Sequence, residues 1–417
     1  MTPPLRETTP TRRGRLHFMR NPIRSYEWGS RSRIAQLQRR PVAEGPEAEL
    51  WLGAHPAAPS VLSDGSGVER SLPDLIAADA EAALGRDCVA RFGARLPYLM
   101  KVVAIERALS IQVHPSAEQA AAGFDAQGGQ PGLFADPWAK PEMLYATGPV
   151  ELLAGLRHPR RAGLLVDLLD SPRAVEIRRL LVTGAHDVPE SATADAMVRL
   201  AQWPRADVRN LVIEIGEATR RSLADPRVER DPDALQSLLW VLKLTQQHPA
   251  DPLVLAPLLL DLHALQAGDT AFLPAGMLHA YLSGFAVEIM GASDNVVRAG
   301  LTGKPVDVDG LRAWVDPSVR PLIGLKGTDV TATQREWVPP TPEFRLIRHR
   351  VTGDAMATFL PGAGPQILLA VRGTLEVAVG GQKATLQAGE SLFVEHGRSA
   401  IGLRGDGEVF RGAVGHR

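Results

Sequence analysis

Residues 265–279 read LQAGDTAFLPAGMLH, and few conformations suit such a stretch. Gly268 is followed after five residues by Pro274, after one more by Gly276, and after two more by His279. Pro274 fixes its own φ, and Gly276 can supply a positive φ where a turn demands it. The apolar residues on either side suit short strands. The segment predicts a strand, a tight turn, and a second strand that presents a histidine inward. A degenerate copy lies near the C-terminus, GESLFVEHGRSA at 389–400. There Gly389 matches Gly268 and Gly397 matches Gly276, but Glu395 replaces the proline and Ala400 the histidine. His396 falls in the turn of this copy and is expected at the surface.

The texture around these copies changes twice. Residues 16–153 alternate short apolar runs with Gly/Pro turns, the pattern of β structure. Within them, residues 72–84 (LPDLIAADAEAAL) predict one amphipathic helix, and Ser116 is placed to cap another over 117–124. Residues 160–262 carry apolar side chains at spacings of three and four, as in VRNLVIEIGEATRRSL and ALQSLLWVLKLTQQ, and predict helices. Ser171-Pro172 and Asp231-Pro232 mark helix starts, with proline at the first helical position. Strands return from residue 265, among them 366–372, 373–379 and 390–394. The expected class is mainly β with a helical insertion. Its domains would be 1–155 with 263–325, a helical domain at 156–262, and a second β domain at 326–417.

Composition narrows the function. The 46 basic and 47 acidic residues leave a net charge of -1, so no global field draws the chain to nucleic acid or anionic membrane. No apolar run reaches the length of a membrane span. Residues 1–24, with Arg12, Arg13 and Arg15, lack the apolar core of a secretory signal and read as a flexible leader into the first strand. A cytoplasmic protein is expected. Cys88 is the only cysteine, which excludes a disulfide framework and any thiolate-rich metal site. A metal here must be held by nitrogen and oxygen.

Such ligands are at hand. Gln112 and His114 lie two apart in the strand-like run ALSIQVHP, so their side chains face the same way and can share one ion. Glutamine is a weak neutral ligand, so the site needs an acidic partner, for which Glu142 in KPEM is the candidate. Each residue alone reads more readily as an ordinary core or turn residue. The motif at His279 together with the Gln-x-His pair points to one site.

The motif ending at His279 resembles the second sequence motif of the cupin superfamily, whose histidine binds metal. The resemblance extends to one family, the type I phosphomannose isomerases. It is carried by YEWGS at 26–30, AELWLGAHP at 48–56, LPYLMKVV at 96–103, LSIQVHP at 109–115, KPEM at 140–143, and FLPAGMLHAYLSGFAVEIMGASDNVVRAGLTGK at 272–304. The last block is highly specific, and the matches span residues 16–320 in order. The resemblance implies two cupin (jelly-roll) β-barrels plus an α-helical domain. It also implies one zinc ion per chain, held by Gln112, His114, Glu142 and His279. The reaction implied is the interconversion of mannose 6-phosphate and fructose 6-phosphate. Ala400 leaves the C-terminal barrel without a metal ligand at the matching position. The same N/O ligand set also suits Mn, Co or Fe.

Aldose–ketose isomerisation needs a base, stabilisation of oxyanion charge and a phosphate anchor. Ser283-Gly284 reads as a hairpin turn, and that register would set Glu288 opposite His279. Glu288 is then either the base or a carboxylate that orients His279. Arg298 and Lys304 bracket a turn with two glycines, and the family's active-site residues fall on these positions. They would grip phosphate or stabilise the enediolate. Gly303 departs from the proline usual in the family, which bears on loop stiffness. Lys101, Lys140 and Ser110 are further candidates for binding substrate, with Trp28 as an apolar wall. Asp294 and Asn295 are expected to brace the loop, and His55 to be a structural turn residue. Two competing readings are a metal-binding sugar-phosphate sensor without turnover and an iron oxygenase. Three packed units could suffice as a monomer.

Overall fold

The computed structural model describes residues 15–63, 69–181, 187–359 and 364–416. Most of the expected leader, residues 1–14, lies outside them. The fold is mainly β with a helical insertion, of the cupin type. Its contacts group the chain into two compact units, Met1–Val102 with Glu288–Ala292 and Leu325–Arg417, and Val103–Val287 with Ser293–Gly324. The boundaries fall inside two strands, Tyr98–Ile105 and His279–Gly291.

The first unit is built on an antiparallel sheet whose spine is the pair Gln366–Val379 and Ile401–Ala413, in register from Gln366↔Ala413 to Val379↔Ile401. Ser391–Val394 lies on the other edge of Gln366–Val379. The N-terminal strand Leu16–Arg20 then pairs with Ser391–Val394, Leu16 opposite Val394. Strand 366–379 is continuous, so the expected break at Gly373 is absent. Gly373 has φ 76°, and a Cβ there would collide with the carbonyl of Asp406 on the neighbouring strand. Glycine here permits close backbone approach within a strand. The expected helix at 72–84 is two helices, Leu72–Ala78 and Ala80–Leu84. Asp79 breaks the run at φ -162° and ψ 88°, and its carboxylate accepts from the Ala82 amide at 2.9 Å as the cap of the second helix. His396 is half-buried rather than a surface residue. Its Nδ1 accepts from the Gly364 amide at 3.2 Å.

In the second unit Glu142–Leu156 pairs with Leu260–Leu265 and Thr270–Leu273, and neighbours His279–Gly291. The helices Pro159–Val166, Pro172–Leu180, Ser191–Ala201, Val208–Ser222 and Pro232–Gln247 fall where the periodicity places them. Ser171 and Asp231 cap their helices, each with proline in the first turn. Ser116 caps Ala117–Ala126 through a reciprocal pair with Gln119. Leu211, Ile215 and Leu238 from the helices share one core with Leu153, Leu156 and Leu282 from the strands.

The expected hairpin at Ser283-Gly284 is also absent, since His279–Gly291 runs as one strand. A Cβ on Gly284 would lie 2.7 Å from the carbonyl oxygen of Pro149. Ser283 donates to Glu151 Oε2 at 2.9 Å. The pair that resembles a turn is a crossing point of neighbouring strands.

The repeated motif folds the same way twice. The Gly268 amide donates to Ala146 O (2.9 Å), the Ala146 amide to Asp269 O (2.9 Å) and the Gln266 amide to Asp269 Oδ2 (2.8 Å). The matching bonds are Gly389 N to Ala370 O (2.8 Å), Ala370 N to Glu390 O (3.0 Å) and Gln387 N to Glu390 Oε2 (2.8 Å). Gly268 and Gly389 both take positive φ, 101° and 86°.

Two predictions follow from these placements. Gly284→Ala, strained in φ and in contact, loses about 1–3 kcal/mol in urea unfolding, and an unchanged midpoint would refute the crossing-point reading. His349 is buried against Phe359, and burial reinforced by Arg411 lowers its pKa from 6.5 to about 3. Protonation therefore favours the unfolded chain, and the stability present above pH 6.5 drains away as pH falls towards 3. His349→Phe is expected to flatten the fall in melting temperature between about pH 7 and pH 4, as read by calorimetry.

Candidate metal centre

The strand Ile111–Val113 is short, yet it is paired on both edges. Gln112 is in register with His279 on one side and with Arg298 on the other. Cross-strand partners share a face, so Arg298, Gln112 and His279 form a row. His114 follows two residues after Gln112, and its carbonyl accepts from the Gly276 amide at 2.8 Å. The turn before His279 is thereby tied to His114. Glu142 begins the strand Glu142–Leu156, in register with Leu273.

His114, Glu142 and His279 converge, with one donor atom from each within 4.8 Å of the others. All three are at most 2% exposed. His114 Nδ1 lies 2.6 Å from the carbonyl of Asn295, and His279 Nδ1 lies 3.0 Å from that of Met277. A carbonyl only accepts, so each Nδ1 carries the proton and each Nε2 turns a lone pair towards Glu142. The separations are 3.3 Å from His114 Nε2 to Oε1 and 3.2 Å from His279 Nε2 to Oε2. Acceptors face acceptors, which calls for a cation between them. Lys140 Nζ supplies one positive charge, 3.0 Å from Glu142 Oε1 and 3.4 Å from His114 Nε2. His279 Nε2 is buried with no hydrogen-bond partner. Two imidazoles, a carboxylate and a neighbouring amide, with no thiolate, fit a divalent metal that keeps a position open.

The electrostatics agree with the geometry. Burial, then Lys140, lowers the pKa of His114 from 6.5 to about 4, so its ring is neutral and ready to ligate at neutral pH. Burial alone would raise the Glu142 carboxyl, but the Lys140 ammonium beside it holds it well below its usual range. Tyr281 Oη donates to Glu142 Oε2 at 3.4 Å. Asn295 is fully buried. Its Nδ2 donates to the carbonyls of Asp136 and Trp138, both at 2.8 Å, which fixes the peptide that holds His114. Asp294 is exposed, and its amide donates to Asp136 Oδ2 at 2.9 Å. Both residues tie down the loop as expected.

The other candidates lie as follows. Ser110 is half-buried just before Ile111–Val113, and Lys304 is exposed on the loop after Val297–Gly300. In the first unit Lys101 Nζ lies 3.1 Å from Glu288 Oε2 and 3.5 Å from Glu49 Oε1. Trp51 Nε1 donates to Glu49 Oε2 at 2.7 Å. Glu288 thus belongs to a buried ion cluster, and the hairpin register that set it opposite His279 no longer applies. Trp28 is half-buried and stacks on Tyr26. His55 is buried, and its Nδ1 accepts from the Ala57 amide at 3.2 Å, as a turn histidine does. Sequence reasoning missed Glu49 and Tyr281. Glu49 is a carboxylate inside the apolar run ELWL, and that mismatch was the available signal.

The catalytic-domain model of the type I phosphomannose isomerases matches residues 16–159. The mannose-6-phosphate isomerase of Escherichia coli is 31% identical to this chain, over 94% of it and 97% of the relative. Mannose-6-phosphate isomerase 1 of Arabidopsis thaliana is 29% identical, over 97% and 95%. Among solved structures, a mannose 6-phosphate isomerase bound with zinc and yttrium superposes with a TM-score of 0.82 at 26% identity, over 96% of this chain and 100% of that one. A single-residue variant of phosphomannose isomerase from Salmonella typhimurium gives 0.83 at the same identity and coverage.

If the converging donors hold a metal, His279→Ala and Glu142→Gln each leave a refolded, metal-equilibrated protein with little bound metal after dialysis. Elemental analysis reads the metal, and circular dichroism checks the fold. Retention of one equivalent by both variants would rule out this centre.

Proposed function

This chain belongs to the type I phosphomannose isomerase family, and on that premise we propose how its residues divide the work. It is an aldose–ketose isomerase that interconverts mannose 6-phosphate and fructose 6-phosphate. The observation that carries the reading is the buried His279 Nε2, which faces Glu142 beside His114 and has no hydrogen-bond partner. The metal we assign is zinc, one ion per chain, held by Gln112, His114, Glu142 and His279. When bound, it supplies Lewis-acid stabilisation of negative charge on substrate oxygen.

The remaining roles belong to the chain. Glu288 is assigned the proton transfer: its carboxylate takes the proton from C2 and returns it to C1, or the reverse. The Lys101 ammonium, 3.1 Å away, compensates its buried charge. Arg298 shares the face of Gln112 and His279 and stabilises the anionic enediolate or the phosphate. Lys304 adds a second cation on the loop that follows. Ser110, Lys101 and Lys140 bind substrate through hydrogen bonds and charge, and Trp28 supplies an apolar surface.

Among the described residues no helix is long and apolar enough to cross a membrane. We place the enzyme in the cytoplasm as a monomer. We read residues 1–155 with 263–325 as the catalytic cupin domain, 156–262 as the helical domain and 326–417 as a metal-free cupin domain.

The test is a coupled assay with mannose 6-phosphate, run with and without a chelator. Turnover by the metal-loaded protein that the chelator abolishes is expected, and its absence in the loaded protein would defeat the proposal. Glu288→Gln is expected to keep its metal and lose deuterium exchange at C2. Retained exchange would move the proton transfer elsewhere.

A further inference from the structure

The loop that carries Lys304 begins with a conformation it could not easily hold alone. Arg298 pairs with Gln112, but Gly300 pairs with Ile111, so the strand bulges between them. Leu301 then takes a φ of 55°, one of only two positive-φ residues other than glycine among the described residues. The Cβ of an L residue disfavours that region, which only glycine enters freely. Leu301 is nevertheless buried, in the core shared by helices and strands.

One carboxylate holds this turn. Asp251 follows the last long helix and lies far from residue 301 in sequence. Its Oδ2 accepts from the Leu301 amide at 2.6 Å and from the Thr302 amide at 3.4 Å. Its Oδ1 accepts from the Leu253 amide at 2.9 Å. Gly300 completes the lock, since a Cβ there would lie 2.6 Å from Leu253 Cβ and 3.0 Å from Asp251 Oδ1. Downstream, the Lys304 amide donates to Thr302 Oγ1 at 3.0 Å, and Asp307 caps the helix Val308–Trp314. Burial raises the Asp251 carboxyl, while the backbone amides and His248 oppose the rise.

We propose that Asp251 is a positioning residue. By clamping the Leu301 and Thr302 amides, it fixes the end of the Arg298 bulge and the loop that presents Lys304 to the phosphorylated substrate. The inference rests on the assignment of Arg298 and Lys304 to the reaction. It gives the helical segment a task in the chemistry, because the clamp is anchored at that segment's exit.

The experiment uses the full-length, metal-loaded enzyme with Asp251→Ala and the near-isosteric Asp251→Asn, which keeps one acceptor oxygen. Asp251→Ala is expected to raise KM for mannose 6-phosphate by about tenfold or more, with kcat within about threefold and metal content unchanged. Asp251→Asn should fall between it and the parent. Hydrogen exchange at the Leu301 and Thr302 amides, protected in the parent, should accelerate in both variants in the same order. A KM within about twofold of the parent overturns the proposal, as does a KM rise without faster exchange at those amides. A drop in melting temperature with KM unchanged marks Asp251 as merely structural and equally overturns it. If the parent does not isomerise mannose 6-phosphate, the functional assignment fails. Unchanged amide exchange then overturns the clamp separately.

Discussion

The site depends on the double pairing of a very short strand. Ile111–Val113 has too few residues to hold its place by its own propensity, and its position comes from ladders on both edges. That register aligns Gln112 with His279 and Arg298, whose positions are far apart in the chain. A slip by one residue on either side would turn His279 or Arg298 away from the face of Gln112. The bond from the Gly276 amide to the His114 carbonyl and the burial of Asn295 guard against that slip.

Much of the centre was legible because its parts are local. His279 sits in a spaced motif, and His114 lies two residues after Gln112, just past the strand Ile111–Val113. The helices were legible for a similar reason: their periodicity spans several turns, and Ser116, Ser171 and Asp231 announce their starts. The failures share a physical cause. Glycine is useful for its free φ and for its missing Cβ, and a sequence does not say which use is in force. Gly284 and Gly373 resemble turn residues but mark places where two strands nearly touch. Asp79 was hidden by the good helix formers on either side, although a short acid can end one helix and cap the next. Glu49 and Asp251 act on partners distant in sequence, so no spacing rule could have found them.

Charge is handled differently around the two acidic groups of interest. Glu142 faces neutral imidazoles and one ammonium, with a proton fixed on the far side of each ring by a backbone carbonyl. Glu288 shares one ammonium with Glu49, which Trp51 also holds. The first arrangement leaves lone pairs pointing inward, as a ligand set requires. The second compensates two buried carboxylates with one shared ammonium and an indole N–H.

The paired turns at Gly268 and Gly389 carry a last implication. Each closes through its own glycine, its own acidic side chain and the backbone of a neighbouring strand. The residue at the matching position downstream, His279 at the start of a strand in one copy and Ala400 just before Ile401–Ala413 in the other, takes no part in that closure. Turn closure and the candidate ligand position are therefore written at separate addresses within one motif. The side chain at that position can thus differ between the copies while each turn keeps its own hydrogen bonds.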